Sequence, residues 1–175
     1  MVRDTGTTVL GVVGFAAALA AASQVAIPVP GTPVPMTLQP LVVVLAGLWL
    51  GPVAGATSMG LYLVAGMAGL PVFAPMGAPG FARMLGPTGG YLWAYPVAAL
   101  VAGLVASRRR DFAFRILAAA AGIAVIHVGG FLQLLVLTGS AERAVVLGAT
   151  PFLPLDLMKV LTAAALSSKT PRATV

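Results

Sequence analysis

From Thr8 to Ile27 the chain runs twenty residues without a charged side chain. A helix rises about 1.5 Å per residue, so such a run reaches across the roughly 30 Å hydrocarbon layer of a bilayer. Hydrocarbon offers the backbone no hydrogen-bond partners, and a helix satisfies every N–H and C=O within the segment itself. Arg3 and the small residues of "AAASQ" also fit a cleaved leader. The chain beyond is equally apolar, so the run is read as a first transmembrane helix.

The same pattern recurs along the 175 residues, of which 59% are hydrophobic and 8% charged. An ordinary soluble domain carries roughly 25% charged residues. The expected fold is all-α: one polytopic membrane domain, residues 1–175, with six helices at about 8–27, 40–50, 53–70, 91–106, 112–137 and 152–166. Gly51-Pro52 marks a tight turn between the second and third. The segments 28–39 and 71–90, rich in Pro and Gly, and "TGSAER" with "GATP" read as loops.

An even number of spans puts both termini on one side. Arg3, Arg108, Arg109, Arg110, Arg115, Lys169 and Arg172 then share that side, while Arg83 and Arg143 fall opposite. The positive-inside rule makes the termini cytoplasmic and the two irregular loops external. Irregular backbone at membrane depth is tolerated where protein covers it or it lines a cavity. Those loops are therefore either the lid of an outward-facing pocket or plain connectors.

The net charge of +6 belongs to this topology and to anionic headgroups, not to nucleic acid. Cys is absent, so disulfides and thiolate sites are excluded. One His and four scattered acids give no metal constellation, and no P-loop motif is present. No cofactor and no catalytic group is expected.

Against this background "PFLPLDLMKV" (Pro151 to Val160) stands out. Asp156 and Lys159 lie three apart, on one face of a helix. A charge at the bilayer centre costs about 2.5–3.5 kcal/mol on insertion scales, so such residues pair, face the interior and mark functional paths. The pair is either a structural lock or a ligand site. As a site, its spare acceptors and donors suit a neutral group that offers both N–H and carbonyl. Arg83, between apolar neighbours, suits a bidentate grip on a carboxylate or a headgroup anchor. His127 lies mid-span with no acid at i±3 or i±4, which favours packing or a bond to another helix over proton relay; Gln133 reads likewise. Trp49, Trp93, Tyr91 and Tyr95 fit interfacial anchors, and Tyr91, after the Gly-rich loop, also suits stacking on a ligand. Ala16, Ala17, Ala18, Ala20, Ala21 and Ala22 allow close helix approach, in a register that composition does not fix.

The stretches "VPMTLQ" (Val34 to Gln39), "GLPVFA" (Gly69 to Ala74), "GPTGGYL" (Gly86 to Leu92) and "PFLPLDLMK" (Pro151 to Lys159) occur in the order found in a known family. The chain resembles, over essentially its whole length, the BioY family of biotin-specific S components of energy-coupling-factor transporters. The resemblance implies a six-helix fold with an external biotin pocket, closed in part by the loops after helices one and three. It implies ligand contacts from Asp156 and Lys159; the arrangement expected from their chemistry has Asp156 accepting from a ureido N–H and Lys159 donating to the ureido carbonyl. Arg83 would hold the valerate carboxylate; alternatively Lys159 does so and Asp156 orients it. Relatives can place an Asn in the loop after helix three, and this sequence has none, so Gln39, Thr37 or a backbone amide would substitute.

The implied partners are a transmembrane T component, docking on the small residues of helix one, and two cytoplasmic ATPases. The implied location is a bacterial cytoplasmic membrane. Some members lack dedicated partners, so solo or homo-oligomeric action stays open. Other classes are a stand-alone or proton-coupled carrier for biotin or another small vitamin, a small channel, and a membrane enzyme using Asp156 or His127. The halves show no convincing repeat of the kind many such carriers carry.

Overall fold

The computed structural model describes residues 5–109 and 111–168; Arg3, Arg110, Lys169 and Arg172 lie outside them. The described residues form eight helices and one two-stranded ribbon. The helices are α1 (Thr5–Gln24), α2 (Gln39–Leu50), α3 (Pro52–Met67), α4 (Ala82–Leu85), α5 (Gly89–Arg108), α6 (Phe112–Thr138), α7 (Ala141–Gly148) and α8 (Leu153–Ser168). Strands β1 (Ala26–Ile27) and β2 (Met36–Thr37) pair antiparallel, Ala26 opposite Thr37, and close the Pro-rich segment into a narrow hairpin.

Three helices, α1, α5 and α6, are long and apolar enough to cross a membrane, and α7 with α8 makes a fourth such unit, bent by 55°. Helices α2 and α3 are shorter, joined at Gly51, whose φ of 87° turns the chain, with Pro52 opening α3. Local chemistry sets several ends. Asp111 caps α6 by accepting from the Phe114 N–H at 2.9 Å, and Gly139 ends it in the left-handed region. Ser140 caps α7 by accepting from the Arg143 N–H. Helix α7 occupies a stretch expected to be loop; the cap at Ser140 followed by Glu142 is the signal that the composition of "TGSAER" obscured.

Helix α5 is the most buried of the long helices and α1 the least. Small residues let the helices close in: Ala98, Ala99, Ala102, Ala118, Ala119 and Ala163 are fully buried. The α5–α6 crossing depends on Gly90 and Gly129, where a Cβ on either would collide with the other's carbonyl oxygen. At the end where α5 begins and α6 finishes, the core is rich in aromatics: Tyr62, Phe73, Tyr91, Tyr95 and Phe152. At the opposite end it is aliphatic, around Val44, Leu48, Ala106, Ala118 and Val160.

The six alanines of α1 do not share one face. Ala16 and Ala20 pack on the protein's own core, Ala22 is half-buried, and Ala17, Ala18 and Ala21 are exposed beside Gly14. The reading of Tyr91 and Tyr95 as interfacial anchors is corrected, since both are buried inside the bundle. Trp93 is about half exposed, and Trp49 packs edge-on against Phe15 at 5.7 Å.

Gly129→Ala is expected to force α5 and α6 apart and destabilise the protein by about 1–3 kcal/mol, the usual cost of overpacking. A thermal unfolding scan in detergent checks it, with Gly60→Ala, where a Cβ meets open space, as a control that holds its midpoint.

Candidate functional site

The aromatic end of the bundle encloses a cavity of about 660 Å³, counting its open mouth. Helices α2, α5, α6 and α8 supply most of its wall, and the hairpin and the segments around Phe73 and Arg83 complete it. All six residues expected to contact a ligand line it: Thr37, Gln39, Arg83, Tyr91, Asp156 and Lys159.

The charged pair is in place. Lys159 Nζ donates to Asp156 Oδ1 at 2.8 Å, one turn along α8, with both side chains buried. The other carboxylate oxygen, Oδ2, lies 2.6 Å from His127 Nε2 on α6. His127 is thus a cavity residue that the sequence reading placed outside the site. The expected bond to another helix is present, and its partner, 29 positions away on α8, is one that spacing within α6 does not reveal. Beyond the imidazole, Nδ1 lies 3.3 Å from the Gly148 carbonyl oxygen, which also accepts from the Tyr91 hydroxyl at 2.7 Å. The Tyr91 ring stands edge-on to the imidazole, and it lies so close over Gly130 that any side chain there would displace it.

Gln39 opens α2 inside the cavity wall. Its amide Nε2 donates to the Tyr62 hydroxyl at 2.9 Å, and its Oε1 accepts from the Thr37 hydroxyl at 3.2 Å. In the loop 71–90 the lining residues are Phe73, Ala74, Arg83 and Thr88, so Thr88 and Arg83 are the polar side chains there.

Arg83 is buried, and its guanidinium is already engaged. Nε donates to the Ala78 carbonyl at 2.8 Å, Nη2 to that of Ala74 at 2.5 Å, and Nη1 to that of Met76. The fork thereby folds residues 74–78 around itself. Burial lowers its pKa from the ordinary arginine value, while the Tyr62 hydroxyl acts in the opposite sense. A guanidinium has five N–H groups, so two remain for a ligand. Gln133 ties α6 to the end of α4 through the Leu85 and Gly86 carbonyls. The hairpin is anchored by Thr32, whose hydroxyl donates to the Leu147 carbonyl at 2.5 Å. Among the described residues no group of acids, His or Cys is arranged to hold a metal ion.

The sequence matches the BioY family over residues 2–174. It is 40% identical over 137 residues to a probable biotin transporter BioY of Pyrococcus horikoshii, covering 78% of this chain and 80% of that one. It is 36% identical over 138 residues to the biotin transporter BioY of Thermotoga maritima, covering 79% and 81%. The fold matches the crystal structure of the S-component for biotin from an ECF-type ABC transporter with a TM-score of 0.86. That match covers 97% of this chain and 93% of the other at 23% identity.

Arg83→Lys keeps the charge but cannot reach three carbonyls from one planar fork. Hydrogen exchange is expected to speed up in the segment 74–80 and to stay unchanged in α5 and α6. Unchanged exchange in 74–80 would remove Arg83 as the organiser of that segment.

Proposed function

The chain belongs to the BioY family, and on that premise we propose that it captures biotin in this cavity and serves its uptake as the substrate-binding subunit of an energy-coupling-factor transporter. It is a multi-pass protein of the cytoplasmic membrane, and its task is that of a carrier subunit, not of an enzyme.

The observation that carries the assignment of contacts is the buried Asp156–Lys159 pair, set in the wall of the cavity with hydrogen-bonding capacity left over. The ureido ring of biotin offers two N–H donors and one carbonyl. Asp156 accepts from N–H with lone pairs its protein partners leave free, and Lys159 donates to the carbonyl with its remaining N–H groups. The two free N–H groups of Arg83 meet the valerate carboxylate. Tyr91, Tyr95, Phe73 and Phe152 give the fused rings an apolar enclosure. Thr37 and Gln39 are bonded to one another and to Tyr62, so they shape the wall at the mouth and supply the polar contact that an asparagine would otherwise give.

In the proposed topology six segments, with α7 leading into α8, make the transmembrane bundle, and both termini face the cytoplasm. Arg108, Arg109 and Arg115 then lie on the cytoplasmic side and the cavity opens outward. The exposed stripe of Gly14, Ala17, Ala18 and Ala21 offers a transmembrane T component a surface that admits close backbone approach, with two ATPases below it.

Calorimetry on detergent-solubilised protein tests the binding site. Asp156→Asn and Lys159→Met are each expected to weaken biotin binding by about 10- to 150-fold, the equivalent of a buried hydrogen bond to a charged group. A folded wild type that ignores biotin would end the substrate assignment. For the docking surface, the double substitution Ala18→Leu, Ala21→Leu is expected to leave biotin affinity intact while abolishing co-purification with the T component. Retained co-purification would move the contact to another face.

A further inference from the structure

Beside a carboxylate that Lys159 already holds ionised, His127 has a hydrogen-bonding problem that its neutral form cannot solve. Nε2 faces a carboxylate oxygen at 2.6 Å and Nδ1 faces a carbonyl oxygen at 3.3 Å. A carbonyl only accepts, as does an ionised carboxylate, whereas a neutral imidazole has one N–H and one bare nitrogen. One of the two contacts would then set lone pair against lone pair inside an apolar cavity. Two protons on the ring satisfy both.

We infer that His127 carries both ring protons and acts as a second cation on Asp156, beside Lys159. It is a positioning residue: it holds Asp156 ionised, fixes the plane of the carboxylate, and so aims the remaining lone pairs at the ligand. The inference rests on the biotin reading only for the identity of that ligand. The surroundings suit the assignment. Tyr91 and Tyr95 come from α5, Asp156 and Lys159 from α8, and Arg83 from α4, so Asp156 is the one acid in the lining. With His127 protonated the lining sums to two positive charges, which favours a ligand bearing a carboxylate over its neutral ester. Helix α7 contributes a carbonyl and no charge to the imidazole.

His127 is the chain's only histidine, so its ring can be observed without assignment. In protein labelled with ¹⁵N-histidine and purified without a polyhistidine tag, both ring nitrogens are expected to resonate as N–H at neutral pH. In parallel, biotin affinity is measured from about pH 6 to about pH 9, where the ligand's carboxylate stays ionised. Wild-type affinity is expected to fall several-fold across this range, toward that of a site without the second cation on Asp156. His127→Gln keeps a neutral N–H toward Asp156 but cannot ionise. It is expected to bind several-fold more weakly near neutral pH and to show a flat profile where the wild type slopes.

A ring with one bare nitrogen at neutral pH overturns the inference, whether or not His127→Gln folds. So does a folded His127→Gln with wild-type affinity and the wild-type slope. Should the wild type ignore biotin, the substrate reading falls and the nitrogen spectrum still decides the protonation state.

Discussion

A carboxylate sunk in a bundle of apolar helices must bring its own counter-charges. Here Asp156 receives Lys159 from its own helix and His127 from the next one, and much of the architecture serves to make those approaches possible. The i, i+3 spacing on α8 supplies the first automatically. The second needs α6 and α8 side by side, and it needs α6 held close to α5. That closeness comes from glycine facing glycine where α5 and α6 cross, so the absence of side chains at Gly90 and Gly129 is as much a part of the site as the ions are.

The polar groups of the cavity are almost all partnered within the protein, yet few are saturated. Asp156 meets two donors and has room for more, Lys159 has one acceptor, and Arg83 has three. This is the condition under which buried charge is tolerable without a ligand and still responsive to one: each ion is hydrogen-bonded, and each keeps capacity for a further bond. Arg83 illustrates the point in reverse. Its first duty is structural, because three carbonyls of the segment 74–78 converge on it, and only what remains is available to bind.

Much of this was legible in the sequence. Asp156 and Lys159 were conspicuous because charge in an apolar helix is rare, and their spacing fixed a common face. The helices were legible from apolar runs, with ends off by a few residues where caps and turns, not hydropathy, decide them. What escaped was the identity of partners on other helices. For His127 a bond to another helix is legible, but spacing within α6 does not name Asp156 as its partner. Tyr91 and Tyr95 look like interfacial aromatics by position, and only the packing of α5 at the centre of the bundle turns them inward. Helix α7 escaped because its signal is one capping serine. The alanine run on α1 was too uniform to assign a face; the packing of Ala16 and Ala20 on the core divides it.

Leu147 and Gly148 are consecutive, and their two carbonyls look in different directions. The first holds Thr32 of the hairpin at the cavity's mouth; the second holds Tyr91 and faces His127 at its floor. Entrance and charged centre are therefore tied to adjacent peptide units. A hairpin lifted away from the bundle must give up the Thr32 bond to Leu147, one residue from the carbonyl that faces the imidazole, so the doorway is latched beside the charged centre.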